Sequence, residues 1–126
     1  MIMPTILVVE DSVLNRKLVE TVLKPHGYRV IAAENGLQGV DLALQEKPDL
    51  ILMDVMMPMM NGYEATHLIR DHGEMSRIPI IALTASAMPH ERDRALEAGC
   101  DGYVSKPIDT RAFPDQIRRF LNQAHE

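Results

Sequence analysis

The sequence predicts an α/β fold in which helices cover both faces of a parallel sheet. Five short apolar segments alternate with five segments whose apolar residues recur at helical spacing. The apolar segments are continuous rather than interrupted by polar residues, which is typical of strands buried on both faces. The 126 residues suit one hydrophobic core, and no linker or internal repeat divides them, so we expect a single domain over residues 1–126.

The five predicted strands end at polar or turn-forming residues. They cover residues 5–9, 29–33, 50–54, 78–83 and 102–105. Pro79 is expected at the beginning of its strand, because proline cannot donate a backbone hydrogen bond within a sheet.

The first three predicted helices start at residues that cap helices well. The first follows Ser12 and ends near Pro25, the second opens at Asn35, and the third follows Asn61. In the first two helices, the apolar residues at helical spacing are predicted to face the core: Leu14, Leu18, Val19, Val22, Leu23, Leu37, Val40 and Leu44.

The last two predicted helices differ in character. The fourth, over residues 89–98, is polar and leaves only Ala95, Leu96 and Ala98 for packing. Pro114 would remove a backbone donor from a helix that began at residue 110, so we expect the fifth helix to begin irregularly or near residue 113. Its apolar stripe is Phe113, Ile117, Phe120 and Leu121.

Four of the predicted strands end in charged or hydroxyl side chains. Glu10 and Asp11 follow the first strand, Asp54 ends the third, Thr84 follows the fourth and Lys106 follows the fifth. Because the carboxyl ends of parallel strands share one edge of a doubly wound sheet, we expect these five side chains to converge there.

The chemistry of these side chains is complementary. Three nearby carboxylates repel one another, by roughly 4 kcal/mol per pair at about 4 Å, and such a group either holds a proton or binds a cation. Oxygen ligands without histidine or cysteine favour a hard ion such as Mg²⁺. A carboxylate such as Asp54 can attack phosphorus, while an ammonium and a hydroxyl can hold the phosphoryl oxygens. The set contains no evident base for a separate substrate, which suits a protein that is itself phosphorylated.

These residues resemble the receiver domain of two-component response regulators over nearly the whole chain. Among receivers, the chain is most similar to single-domain regulators of the DivK type and to the receivers of hybrid kinases. The resemblance is carried by Glu10-Asp11, Asp54-x-x-x-Pro58-x-x-x-Gly62, Thr84-Ala85, Lys106-Pro107 and the aromatic Tyr103 three residues before Lys106.

The resemblance implies a flavodoxin-like fold with strand order 2-1-3-4-5 and five helices. It implies that Asp54 takes a phosphoryl group from a histidine of a kinase or a histidine phosphotransfer protein. Asp11 and Asp54 would bind Mg²⁺ directly, Glu10 would bind it through water, and the Met56 carbonyl would complete the set. The domain would catalyse only its own phosphorylation and slow dephosphorylation, and so would not be an enzyme in the usual sense.

The resemblance also implies a switch that alters a binding face. Thr84 would move toward the phosphate, Tyr103 would turn inward with it, and the peptide between Lys106 and Pro107 would be cis. The fourth helix, fifth strand and fifth helix would then bind a downstream protein or support onward phosphotransfer. Candidate contacts on this face are Ala87, Met88, His90, Arg92 and Tyr103.

Two other functions use related folds. An aspartyl-phosphate phosphatase of the haloacid dehalogenase kind needs an acid two residues after its nucleophile, where this chain has Met56. A nucleotide or flavin site would need a glycine-rich phosphate loop, but the first strand is followed by Glu10 and Asp11.

Composition limits the remaining classes. A formal net charge of −5 argues against general binding to nucleic acid or to an anionic membrane. No apolar run approaches the ~20 residues of a membrane span, and the single cysteine, Cys100, cannot form an internal disulfide. We therefore expect a cytoplasmic protein.

Overall fold

A five-stranded parallel sheet forms the centre of the protein in a computed structural model. The structure describes residues 3–86 and 88–124. The strands are β1 (Thr5–Val9), β2 (Arg29–Ala33), β3 (Leu50–Asp54), β4 (Ile80–Thr84) and β5 (Gly102–Ser105). The helices are α1 (Val13–Leu23), α2 (Gly36–Glu46), α3 (Gly62–Arg70), α4 (Pro89–Ala98) and α5 (Phe113–Ala124). The strand order β2-β1-β3-β4-β5 confirms the predicted fold class.

The two faces of the sheet are covered by different helices. On one face of the sheet, side chains such as Leu7, Ile51 and Met53 pack with buried residues of α2, α3 and α4. Residues of the opposite face, such as Ile6 and Leu52, pack with α1 and α5. All five residues of β3 and of β4 are buried, because both strands have a neighbour on each side and helices above and below.

Strand β4 begins two residues later than predicted. Ile78 belongs to the preceding turn, where its N–H donates to the carbonyl of Met75 at 3.4 Å. Pro79 lies immediately before the strand, and its carbonyl accepts a hydrogen bond from Ile51 N at 2.9 Å. The prediction that Pro79 could begin the strand was therefore wrong by one residue, since a proline without an N–H cannot complete the ladder.

Three leucines predicted to face the core are exposed instead. Leu14 and Leu37 lie in the first turns of α1 and α2, at the edge of the sheet where no second layer covers them. Leu96 is exposed because α4 meets its neighbours through the small residues Ala95 and Ala98. The apolar stripe of α5 packs as predicted, with Phe113, Ile117 and Leu121 buried and Phe120 half-buried against them.

The helix termini follow the expected capping chemistry. The Ser12 hydroxyl accepts a hydrogen bond from Asn15 N at the start of α1, and a short 3₁₀ turn that contains Pro25 follows its end. Asn61 and Glu64 form a reciprocal capping box at the start of α3. Helix α5 begins at Phe113, so Pro114 lies in its first turn, where a missing N–H is harmless.

Arg70 joins several segments at the edge of the sheet opposite the carboxyl ends. Its guanidinium donates to the carbonyl oxygens of Gly99 at 2.9 Å, Ser76 at 3.2 Å and Met75 at 3.3 Å, and to that of Ile78. It also pairs with Asp101 at 2.7 Å, and Asp101 accepts a hydrogen bond from Ile80 N. One side chain thus connects α3, the turn before β4 and the turn before β5.

Among the described residues, none of the helices combines the length and apolar character that crossing a bilayer requires.

Candidate functional site

The predicted strand-end residues meet at the carboxyl edge of the sheet. Parallel pairing of β1 with β3, of β3 with β4 and of β4 with β5 aligns the ends of these strands. Glu10 and Asp54 are buried, with 1% and 2% of their surfaces exposed, while Asp11 is exposed beside them. The sheet therefore brings the three acids to one cleft, as the strand-end pattern predicts.

Lys106 connects the two buried carboxylates. Its Nζ lies 2.9 Å from Asp54 Oδ1 and 3.0 Å from Glu10 Oε2. Burial lowers the pKa of Lys106, but the Asp54 and Glu10 carboxylates offset this effect and hold the pKa above its usual range. The ammonium therefore stays charged at neutral pH, in direct contact with the Asp54 carboxylate.

Glu10 is the least well satisfied member of the cluster. Burial raises its pKa, the neighbouring Asp54 carboxylate raises it further, and the Lys106 ammonium opposes both. Its Oε1 accepts only long hydrogen bonds, from Ser12 N at 3.4 Å and Asn15 Nδ2 at 3.5 Å. Apart from Lys106 Nζ at 3.0 Å, no donor among the described residues reaches the buried Oε2. A second cation beside Lys106 would relieve this arrangement.

The acidic cluster fits a hard divalent cation. Glu10, Asp11 and Asp54 each offer an oxygen, and these oxygens lie within 4.8 Å of one another. Mg²⁺ prefers oxygen ligands and commonly takes one or two carboxylates together with waters. Glu10 Oε2 lies 3.0 Å from Lys106 Nζ, and its remaining lone pair is free to face a cation.

The loop after β3 lies beside the cleft. Met56 N donates to Asp54 Oδ1 at 3.2 Å, which orients the carboxylate, while the Met56 side chain is 75% exposed. Lys106 and Pro107 are joined by a cis peptide, as the sequence resemblance implies.

The two predicted switch residues make hydrogen bonds away from Asp54. The Thr84 hydroxyl donates to the Ser86 carbonyl and accepts from the Ser86 N–H, both at 3.1 Å. The Tyr103 hydroxyl accepts from Arg92 Nη2 at 3.0 Å, and the Arg92 guanidinium lies 5.3 Å from the ring centre. Tyr103 is therefore attached to α4 rather than to the cleft.

Of the predicted binding-face residues, Met88, His90 and Arg92 are exposed and Tyr103 is half-buried. Ala87 lies outside the described residues. Helix α4 is also tied to α3, because Tyr63 donates to Glu91 Oε2 at 2.9 Å and Arg94 lies 4.8 Å from the Tyr63 ring centre.

Sequence reasoning did not identify two supports of Glu10 on α1. Arg16 Nη1 donates to the Glu10 carbonyl at 2.7 Å, and Asn15 reaches the carboxylate. The available signal was their position in the first turn of α1, only five and six residues after Glu10. The close approach of Gly62 to Asp54 was also missed, although the Asn-Gly pair marked a turn there.

Comparisons with known proteins agree with this geometry. Residues 6–118 match the response regulator receiver domain. The polar-differentiation response regulator DivK of Brucella anthropi is 41% identical over 120 residues, which cover 95% of this chain and 98% of DivK.

Two solved structures extend the likeness to three dimensions. The receiver domain of sensor histidine kinase PA1611 from Pseudomonas aeruginosa, with magnesium in its active site cleft, has a TM-score of 0.88 at 37% identity, covering 96% of this chain and 99% of that one. A chain of the Saccharomyces cerevisiae complex between the histidine phosphotransfer protein Ypd1 and the receiver domain of Ssk1 has a TM-score of 0.88 at 30% identity, covering 98% and 94%. The chain therefore belongs to the response regulator receiver domain family.

Proposed function

We propose that the protein is a phosphorylation-dependent signalling domain in which Asp54 is the phosphoryl acceptor. The observation that carries this proposal is the contact of Lys106 Nζ with Asp54 Oδ1 at 2.9 Å, within a buried acidic cluster. An ammonium at this position is placed to hold a phosphoryl oxygen while Asp54 acts as the nucleophile. The whole chain, residues 1–126, acts as one such domain.

The donor is a phosphohistidine on a kinase or on a histidine phosphotransfer protein. An Asp54 carboxylate oxygen forms a bond to phosphorus as the bond from phosphorus to the imidazole nitrogen breaks. The electron pair of the broken bond stays on that nitrogen, which takes a proton from solvent. The structure of Ssk1 bound to a histidine phosphotransfer protein concerns a receiver of the same fold and supports this class of donor.

Asp11 and Asp54 would hold Mg²⁺ directly, Glu10 would act through water, and the Met56 carbonyl would contribute a further oxygen. When bound, Mg²⁺ supplies positive charge that neutralises the phosphoryl oxygens. Lys106 Nζ, 2.9 Å from Asp54 Oδ1, supplies a second positive charge, and Met56 N helps to orient the Asp54 carboxylate. The Thr84 hydroxyl would donate a hydrogen bond to the phosphoryl group after it releases the Ser86 carbonyl.

Phosphorylation would change the face formed by α4, β5 and α5. Tyr103 lies on this face in contact with Arg92, so an inward turn of Tyr103 would separate the two residues. A downstream protein, or a further phosphotransfer partner, would bind this face differently in the phosphorylated and unphosphorylated forms. The domain modifies only itself, and Met56 supplies no acid for the turnover of a separate phosphate ester.

Intact-mass measurement tests the acceptor. With acetyl phosphate and Mg²⁺, the wild type should gain one phosphoryl group, and Asp54→Asn should gain none. Asp41→Asn, which changes an exposed acid on α2, is the matched control and should be labelled like the wild type. Label on the Asp54 variant would disprove the assignment.

A further inference from the structure

Met59 has an apolar side chain at a position where it is not buried and so adds little to the stability of the fold. It is 90% exposed, more than any other large apolar residue in the described part of the chain. Its φ of 68° places it in the left-handed region, which disfavours residues with a side chain other than Asn or Asp. Met60 N donates to the Pro58 carbonyl at 2.8 Å and closes a tight three-residue turn around it. A residue that is unfavourable on both counts points to a role outside folding.

The loop holds Met59 in a fixed position. Met57, two residues earlier, is buried in the core. Met60 packs on Gly36 of α2, where an added Cβ would lie only 2.9 Å from the Met60 side chain. On the other side, the capping box of Asn61 and Glu64 begins α3. Both flanks of Met59 are therefore anchored, by packing of Met57 and Met60 and by the capping box.

Met59 lies on the loop that follows β3, the strand that ends in Asp54. Asp54 lies five residues before it, at the floor of the site with 2% of its surface exposed. Of the nine large apolar residues that are exposed in the described part of the chain, six occupy loops or first turns at this same edge of the sheet: Val13, Leu14, Leu37, Met56, Met59 and Met88. Any protein that brings a histidine to Asp54 must cover part of this edge, whereas a small phosphate donor need not.

We propose that Met59 is a specificity-determining residue that contacts the protein phosphodonor. Its thioether side chain packs against apolar residues that surround the phosphohistidine on the donor surface. Methionine suits this role because its flexible side chain adapts to irregular apolar surfaces. The inference rests on the proposed function, since it assumes that Asp54 receives phosphate from a protein.

The test compares protein and small-molecule donors on the same variants. The protein donor is whichever of a set of autophosphorylated histidine kinases labels the wild type fastest. Met59→Asn removes the apolar side chain and tolerates the left-handed backbone, while Met59→Leu keeps an apolar side chain. Met3→Asn is the matched control, because Met3 is an exposed methionine at the opposite edge of the sheet.

In Met59→Asn, phosphotransfer from the kinase should slow about tenfold, as expected for the loss of one central apolar contact. Labelling by acetyl phosphate should stay within about twofold of the wild type, because the contact of Lys106 with Asp54 is unchanged. Met59→Leu and Met3→Asn should transfer like the wild type, and the urea midpoint of Met59→Asn should be equal or higher.

Equal kinase transfer to Met59→Asn and the wild type would overturn the inference. A parallel loss with both donors would also overturn it, because Met59 would then act on the site itself. If no kinase labels a wild type that acetyl phosphate does label, the inference fails while the acceptor assignment stands. If acetyl phosphate leaves the wild type unlabelled, the proposed function fails, and this inference fails with it.

Discussion

Gly62 lies directly against the main chain of Asp54 and leaves no room for a side chain between them. A Cβ at Gly62 would collide with the carbonyl oxygen of Asp54 and with the Cα of Val55. Gly62 N also donates to the Val55 carbonyl at 3.2 Å. The start of α3 thus packs directly against the backbone of Asp54, the proposed phosphoryl acceptor. This contact helps to fix the position of the Asp54 main chain.

Gly62→Ala should lower the free energy of unfolding by about 3 kcal/mol, because the colliding atoms belong to the backbone and cannot move aside. Gly73→Ala is the control, since an added Cβ there meets no atom within 4 Å, and its effect should stay within about 0.5 kcal/mol. Urea denaturation measures both variants. Equal stabilities would show that α3 can shift away from Asp54.

Arg70→Ala should also destabilise the fold, by about 3 kcal/mol, because it leaves several carbonyl oxygens and Asp101 without their donor. Arg70→Lys should recover less than half of this loss, since an ammonium cannot reproduce the planar set of donors.

The control for this prediction is Arg118→Ala. Arg118 pairs with Asp115 at 2.8 Å on the surface, where such pairs contribute within about 0.5 kcal/mol. Chemical denaturation of the three variants gives the comparison, and full recovery by lysine would mean that charge alone matters at residue 70.

Glu10 should make stability depend on pH in the absence of divalent cations. Burial raises its pKa above the usual 4.5, so the folded protein holds this proton more tightly than the unfolded chain does. The resulting stabilisation is fully present below pH 4.5 and is lost as pH rises through the folded-state pKa. Glu10→Gln should lack this pH-dependent contribution. The free energy of unfolding of the variant should therefore rise relative to that of the wild type as pH increases.

Denaturation of both proteins from about pH 4.5 to pH 7 measures this component, together with the effect of the substitution on the neighbouring Asp54 and Lys106. Added Mg²⁺ should stabilise the wild type more than Glu10→Gln at neutral pH. A stability difference that stays constant with pH would contradict the prediction.

Met56 should slow the loss of phosphate from Asp54. Its apolar side chain stands beside the cleft, where it cannot orient an attacking water. Met56→Asn should therefore shorten the lifetime of the phosphorylated protein, by between severalfold and about a hundredfold. The decay of phosphorylated protein after removal of acetyl phosphate measures this, and equal lifetimes in variant and wild type would disprove the shielding role.

The sequence predicted the sheet well because its strands are continuous apolar segments with clear ends. Four of the five strand ranges agree with the structure; β4 covers residues 80–84 instead of 78–83, and Pro79 interrupts the ladder at its start. The predicted convergence of Glu10, Asp54 and Lys106 follows from strand direction alone, since parallel strands place their carboxyl ends together.

Other features depend on contacts that spacing does not reveal. Leu14 and Leu37 fit an apolar stripe, but the first turns of their helices extend past the sheet and have nothing to pack against. The hydrogen bond between Tyr103 and Arg92 and the binding of Arg70 to carbonyls in two separate turns depend on tertiary packing that periodicity does not show. The backbone of Met59 is equally invisible to periodicity, because its conformation is imposed by the anchored residues around it.

The paired hydrogen bonds between the Thr84 hydroxyl and the Ser86 backbone carry a consequence for signal duration. In the proposed mechanism, the Thr84 hydroxyl would have to release the Ser86 carbonyl before it could donate to a phosphoryl group. A protein that binds the loop with this bond open would therefore favour the phosphorylated state. By thermodynamic linkage this effect is reciprocal. The factor by which phosphorylation would raise the affinity for that protein equals the factor by which binding of that protein would raise the equilibrium constant for phosphorylation. The persistence of the signal would then depend on how much of the receiving protein the cell contains, as well as on the kinase that starts it.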